Sequence, residues 1–138
     1  MNAFMRSIWP LALLVPLLLA AGIGAAEVPN LVGNWTRSEE HSVNNHEFLE
    51  DRALDMTVTE QRGRLFTGNL TYYELNGTET VEGFSGAIGL DNKTIYMAEF
   101  REGFDLGTVL SQDEIELIYL QDGARAPVEI VRLDRIKG

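Results

Sequence analysis

Leu31-Val32-Gly33-Asn34-Trp35-Thr36 is the stretch from which the fold is read. Gly33 to Ser38 has the length and composition of a short strand, and seven further segments of the same kind follow, each closed by a turn. Leu54 to Gln61 alternates, with Met56 and Val58 on one face and Asp55, Thr57 and Thr59 on the other. Arg62-Gly63-Arg64 turns the chain into Leu65 to Tyr73, and Asn76-Gly77, a dipeptide that tolerates positive φ at both positions, turns it again into Thr80 to Ile88. Gly83 and Gly86 inside that segment mark a bend or bulge of the kind a curved wall requires. Asp91-Asn92, Arg101-Glu102-Gly103, Ser111-Gln112-Asp113 and Gln121-Asp122-Gly123 then separate Thr94 to Phe100, Phe104 to Leu110, Glu114 to Leu120 and Val128 to Ile136. Short strands joined by hairpin-length links predict an all-β domain: an eight-stranded antiparallel up-and-down barrel, closed on itself so that no edge is exposed, with an open sandwich as the alternative.

The chain of 138 residues allows one domain. Its 11 basic and 21 acidic residues give a formal charge of −10, which repels nucleic acid and anionic lipid and favours cationic partners. The absence of cysteine excludes disulfides, thiolate metal sites, a thiol nucleophile and a lipid-modified cysteine. Packing and strand pairing must hold the fold.

Residues 1–26 are of another kind. Arg6 is the only charge before the apolar run from Ile8, which ends in Gly24-Ala25-Ala26. A positive start, an apolar centre and a small-residue exit predict a signal helix cleaved after Ala26, leaving a secreted or envelope-exterior domain over 27–138. An uncleaved membrane anchor is the alternative, since the run is nearly long enough to span a bilayer; Pro10 and Pro16, which interrupt a helix, speak against it.

The link from Glu39 to Arg52 is longer than the others, polar and without a clean period, with room for one helical turn near Asn45 to Arg52. It carries His41, His46 and several acids around Phe48-Leu49. The two histidines lack the spacing of ligands on one helical face, so no metal site is assigned. The stretch is read as a ligand lid, with His41, His46, Phe48 and Leu49 as its residues, or as an ordinary surface loop.

A meander that opens with Gly33-Asn34-Trp35 and ends with a basic residue on its last strand resembles the calycin group, the lipocalins and avidins. That resemblance implies a first-strand tryptophan packed across the closed end of the barrel against a last-strand arginine or lysine. Trp35 fits the first part; Arg135 is the first choice for the second and Arg132 the next, because the register of that strand is open. A single tryptophan in the predicted mature chain does not resemble the several that line the avidin biotin site. Through Phe66-Thr67-Gly68, Glu82-Gly83-Phe84 and Glu114-Ile115-Glu116-Leu117 the chain also resembles small secreted archaeal proteins to which no function is attached.

No nucleophile elbow, zinc helix or phosphate loop is present, and the pair Glu114 and Glu116 reads as the solvent face of a strand. Neither a catalytic residue nor a cofactor is assigned. Asn34, Asn69, Asn76 and Asn92 each open an Asn-x-Thr sequon, where chance gives roughly one, and the turn positions Asn76 and Asn92 are the expected glycan acceptors. The sequence therefore predicts an exported module that binds a small, partly apolar ligand in its barrel. The alternatives are an envelope module with a filled interior and, more remotely, a cofactor-free enzyme; eight strands lie at the border between a filled and a ligand-holding barrel.

Overall fold

The computed structural model describes residues 26–50, 53–73 and 76–138, so the expected leader over 1–26 lies outside the described residues except for Ala26. Nine strands are present among them: β1 (Gly33–Asn44), β2 (Glu47–Glu50), β3 (Ala53–Arg62), β4 (Leu65–Tyr73), β5 (Glu79–Ile88), β6 (Thr94–Glu99), β7 (Phe104–Val109), β8 (Glu114–Leu120) and β9 (Val128–Arg135). Neighbours in the chain from β3 to β9 pair antiparallel, and β1 closes the ring by pairing with both β3 and β9. The result is an eight-stranded closed barrel carrying one extra strand.

That extra strand is the departure from the sequence reading. β1 does not run out at Ser38 but continues to Asn44, and Asn45 and His46, both at positive φ, turn the chain back into β2. Asn45-His46 is a two-residue hairpin turn in which asparagine tolerates the left-handed conformation. The helical turn expected near Asn45 to Arg52 is thus replaced by hairpin through Glu50. β1 is long enough for this because it spends its first half on β3 and its second half on β2 while following β9 throughout. A bulge between Arg37 and Glu39, and another between Val58 and Glu60 on β3, supply the curvature of the wall.

Alternation divides every strand into an inward and an outward set. Trp35, Met56, Val58, Leu70, Phe84, Ile88, Ile95, Ile115, Leu117, Val131 and Leu133 are inward and buried. Two inward glycines make room for rings: a Cβ on Gly86 would fall on the Phe66 ring, and one on Gly68 would meet both the Thr57 carbonyl and Phe84. Phe66 and Phe84 then meet edge to face, their centroids 6.0 Å apart. On the outside, the register sets Tyr96, Leu106, Ile118 and Ile130 side by side across four strands. The row beside it, toward the β6–β7 turn, holds Ala98, Phe104, Leu120 and Val128. Tyr96, Phe104, Leu106 and Ile130 are exposed apolar side chains of that wall.

Candidate functional site

The closed end is built on Trp35. Its indole is fully buried, and its Nε1–H donates to the Leu31 carbonyl at 2.9 Å. The Arg135 guanidinium lies 4.1 Å from the centre of the indole, and its N–H groups donate to the carbonyls of Asn30, Val32 and Gln112 at 2.7, 2.9 and 3.1 Å. One cation thereby ties the segment before β1 and the β7–β8 turn to the last strand. The register resolves the choice between the two arginines: Arg135 pairs with Trp35 and faces the core. Arg132, three residues earlier, faces out to Glu116 at 2.8 Å and Glu114 at 3.5 Å. Glu114 and Glu116 are accordingly on the outer face.

The opposite end is an open cup of 550 Å³, in the range of small-molecule sites. Its walls come from the upper parts of β1, β3, β4, β5, β6, β8 and β9, and its rim from the β6–β7 turn and the β8–β9 link. The hairpin turn of β1 and β2 is fastened to that rim, with the Asn45 N–H donating to the Arg125 carbonyl at 3.1 Å.

The polarity of the cup follows from the tilt of the strands. In a tilted barrel a row of paired residues, followed from strand to strand, climbs from one end toward the other. Trp35, Met56 and Leu70 lead to Glu82; Val58, Gly68 and Phe84 lead to Glu99. Phe66, Gly86 and Met97 lead to Asp105, Tyr119 and Glu129, and Ile88, Ile95, Gly107, Leu117 and Val131 lead to Glu40. Each of these four rows starts apolar near the floor and reaches a carboxylate. The barrel is filled by side chains in its lower part and lined by acids in its upper part.

Each acid has its own surroundings. Glu40 pairs with Arg37 at 2.9 Å, and Glu82 accepts the Arg101 backbone N–H. Glu99 accepts the Tyr72 hydroxyl at 2.8 Å, and its carboxyl is held well above the usual carboxylate range, first by burial and then by the charge of Asp105. Asp105 is only 4% exposed and is raised as well, chiefly by burial and further by the charge of Glu129. Its Oδ2 has no hydrogen-bond partner among the described residues. Burial, with Glu99 adding to it, also pushes the Tyr72 phenol up, so that it remains a donor. Tyr119 is raised by burial and donates to Gln121 at 2.7 Å. Behind it, Gly103 at φ +89° leaves a gap that the Tyr119 ring fills.

The residues expected to form a lid are elsewhere. Phe48 is 87% exposed, and neither it nor Leu49 lines the cup; His41 faces out and His46 sits in the exposed hairpin turn. Among the described residues, no three His, Asp or Glu side chains are arranged to hold a metal ion. Of the sequon asparagines, Asn76 is exposed in the β4–β5 turn. Asn69 and Asn34 face out on strands, the latter accepting from Thr57, and the Asn92 side-chain amide donates to the Ala26 carbonyl. The acids of the cup were legible in principle. Glu82 shares the parity of Phe84, Glu99 that of Met97, and Glu129 that of Val131, all buried positions.

No family model matches the chain, and no curated protein matches it. Solved structures share its architecture. A redesigned β-barrel, b11L5F_LGL, superposes with a TM-score of 0.58 at 10% identity, covering 78% of this chain and 92% of its own. EF1p2_mFAP2b bound to DFHBI gives 0.55 at 12% identity, covering 77% and 94%. The S-type phycobiliprotein lyase CPES from Guillardia theta gives 0.52 at 10% identity, covering 78% and 89%. At such identities the likeness speaks for the fold, and the fold is that of a small closed antiparallel β-barrel.

Proposed function

We propose that the chain is a calycin-like barrel that binds a small, partly apolar molecule in the cup at its open end. The observation that carries this reading is the division of the interior: apolar side chains fill the barrel above the Trp35 floor, yet above them polar groups converge on 550 Å³ of unfilled space. Leu54, Tyr72, Tyr119 and Pro127 offer apolar surface to the body of a ligand. Two barrels of the same fold support it, one bound to DFHBI and one a phycobiliprotein lyase. The test is a native mass-spectrometric screen of small molecules against the parent and Leu54→Trp, which places an indole in the cup. Retention by the parent and loss in the variant is the expected result; equal retention by both, or none by the parent, refutes the reading.

The leader-like segment ending at Ala26 supports export, with a mature chain beginning at Glu27. Intact mass of protein recovered from its host tests this. In a host that glycosylates, Asn76, exposed in the β4–β5 turn, and Asn92, whose bond to the Ala26 carbonyl is lost once the leader is cleaved, are the acceptors we expect.

A second reading, an interaction module, is favoured by the exposed outer side chains Tyr96, Leu106 and Ile130, since contiguous apolar surface marks contact sites. Self-association in sedimentation that disappears in Leu106→Glu supports it, and a parent that is monomeric throughout removes it.

A further inference from the structure

We propose that the cup selects an organic cation: an ammonium or amidinium group on a small apolar body. The proposal rests on the reading of the cup as a small-molecule site and assigns the chemistry of its ligand. Among the described residues, four carboxylates from four strands line the cup wall, Glu40, Glu82, Glu99 and Glu129, and Glu102 stands on the rim. Asp105 faces the interior, paired in register with the lining residue Tyr119, and its charge acts on Glu99. It is 4% exposed, and its Oδ2 has no hydrogen-bond partner among the described residues. A buried acceptor left unmade is costly, and a carboxylate oxygen is satisfied best by a charged N–H donor.

The other groups in the cup narrow the choice. Glu82 already has the Arg101 N–H, Glu40 has Arg37, and Tyr72 donates to Glu99. Among the described residues the arginines that line the cup are Arg101 and Arg125, which belong to the rim links and not to the strands that carry the carboxylates. From the described residues, an anion entering here meets an excess of like charge over opposite charge. A neutral donor satisfies Asp105 without offsetting the mutual repulsion of Glu99, Asp105 and Glu129, whereas a cation does both. A bare divalent ion would require several oxygens converging at bonding distance, and no such group exists among the described residues. The apolar body is needed because Leu54, Pro127 and the two tyrosine rings supply the apolar part of the wall.

The experiment compares three probes of one shape on the full chain by titration calorimetry at pH 8 and low salt: phenethylamine, 2-phenylethanol and 3-phenylpropionate. The amine is expected to bind about tenfold or more tightly than the alcohol, as a hydrogen bond to a charged group implies, and the propionate not to bind. Asp105→Asn and Glu99→Gln, both isosteric, are expected to weaken the amine by about tenfold each and to leave the alcohol unchanged. The comparison of probes on the parent stands even where a variant does not fold. An alcohol that binds as tightly as the amine, or an amine whose affinity neither variant alters, overturns the cation while leaving a small-molecule site. If none of the three binds but the native mass-spectrometric screen finds a neutral or anionic ligand, the cation is again overturned alone; if that screen is also empty, both readings fall.

Discussion

Removing the indole of Trp35 tests the closed end of the barrel. The side chain is fully buried, so Trp35→Ala loses its transfer energy and leaves a cavity, together about 3 to 5 kcal/mol. The Leu31 carbonyl loses its donor, at about 1 kcal/mol, and Arg135 loses the face beneath it, worth about 0.5 to 2 kcal/mol. These contributions share atoms and do not add, so we take about 4 kcal/mol as the expected loss. For a domain whose total stability is about 5 to 15 kcal/mol, that lowers the melting temperature by about 15 °C or more. Urea denaturation followed by far-ultraviolet circular dichroism measures it without relying on the deleted fluorophore. Trp35→Phe, which keeps an apolar ring but has no N–H, should lie between the two. A double-mutant cycle with Arg135→Met should return a coupling of about 0.5 to 2 kcal/mol. An alanine variant within about 1 kcal/mol of the parent would refute the reasoning, because no relaxation of the closed end recovers a buried indole at so small a cost.

The unliganded protein should lose stability as pH rises from about 5 to 8. Glu99 and Asp105 titrate near 4 in the unfolded chain. In the folded chain both are raised, among Glu82, Glu129 and Tyr72. Over that window the native state holds more protons, so stability falls until both are ionised and then levels off; thermal melts of Glu99→Gln should show a flatter profile, and a parent that gains stability over the range contradicts the assignment. Gly86→Ala places a methyl on the Phe66 ring and should cost about 1 to 3 kcal/mol by overpacking in chemical denaturation; an unchanged midpoint refutes that packing. Leu106→Ser, on the outer wall, should cost no more than about 1 kcal/mol in the same assay, and a larger loss would mean that this wall is covered in solution.

The turns and the alternation are local properties, and the sequence determines them. Gly63, Gly77, Gly103 and Gly123 all stand at positive φ in links between strands, as their dipeptide contexts require. Strands β3 to β9 begin and end within a residue or so of where the period of two begins and ends. The placing of Trp35 at the floor is of another kind: it is implied by the resemblance to the calycin group and not by the local pattern. The hairpin over Glu47–Glu50 was not legible. It is only four residues long and two of them are glutamates, and it forms because the upper half of β1 has a vacant edge once β3 has paired with the lower half.

Register was the other decision that the sequence left open. Parity along each strand marks Glu82, Glu99, Asp105 and Glu129 as inward, but an isolated strand does not tell an inward acid at a solvated mouth from a pattern that has slipped. The same ambiguity left Arg132 and Arg135 undecided until β9 paired with β1. Strand tilt, a property of the closed ring and of no single strand, carries the acids to one end and the indole to the other. The sequence by itself thus determined an all-β chain and where its turns fall, while the barrel was its first reading beside a sandwich and the floor residue was implied by resemblance. Only the tertiary structure gathered carboxylates spaced across ninety residues of chain into one cup, because that depends on which strand lies beside which.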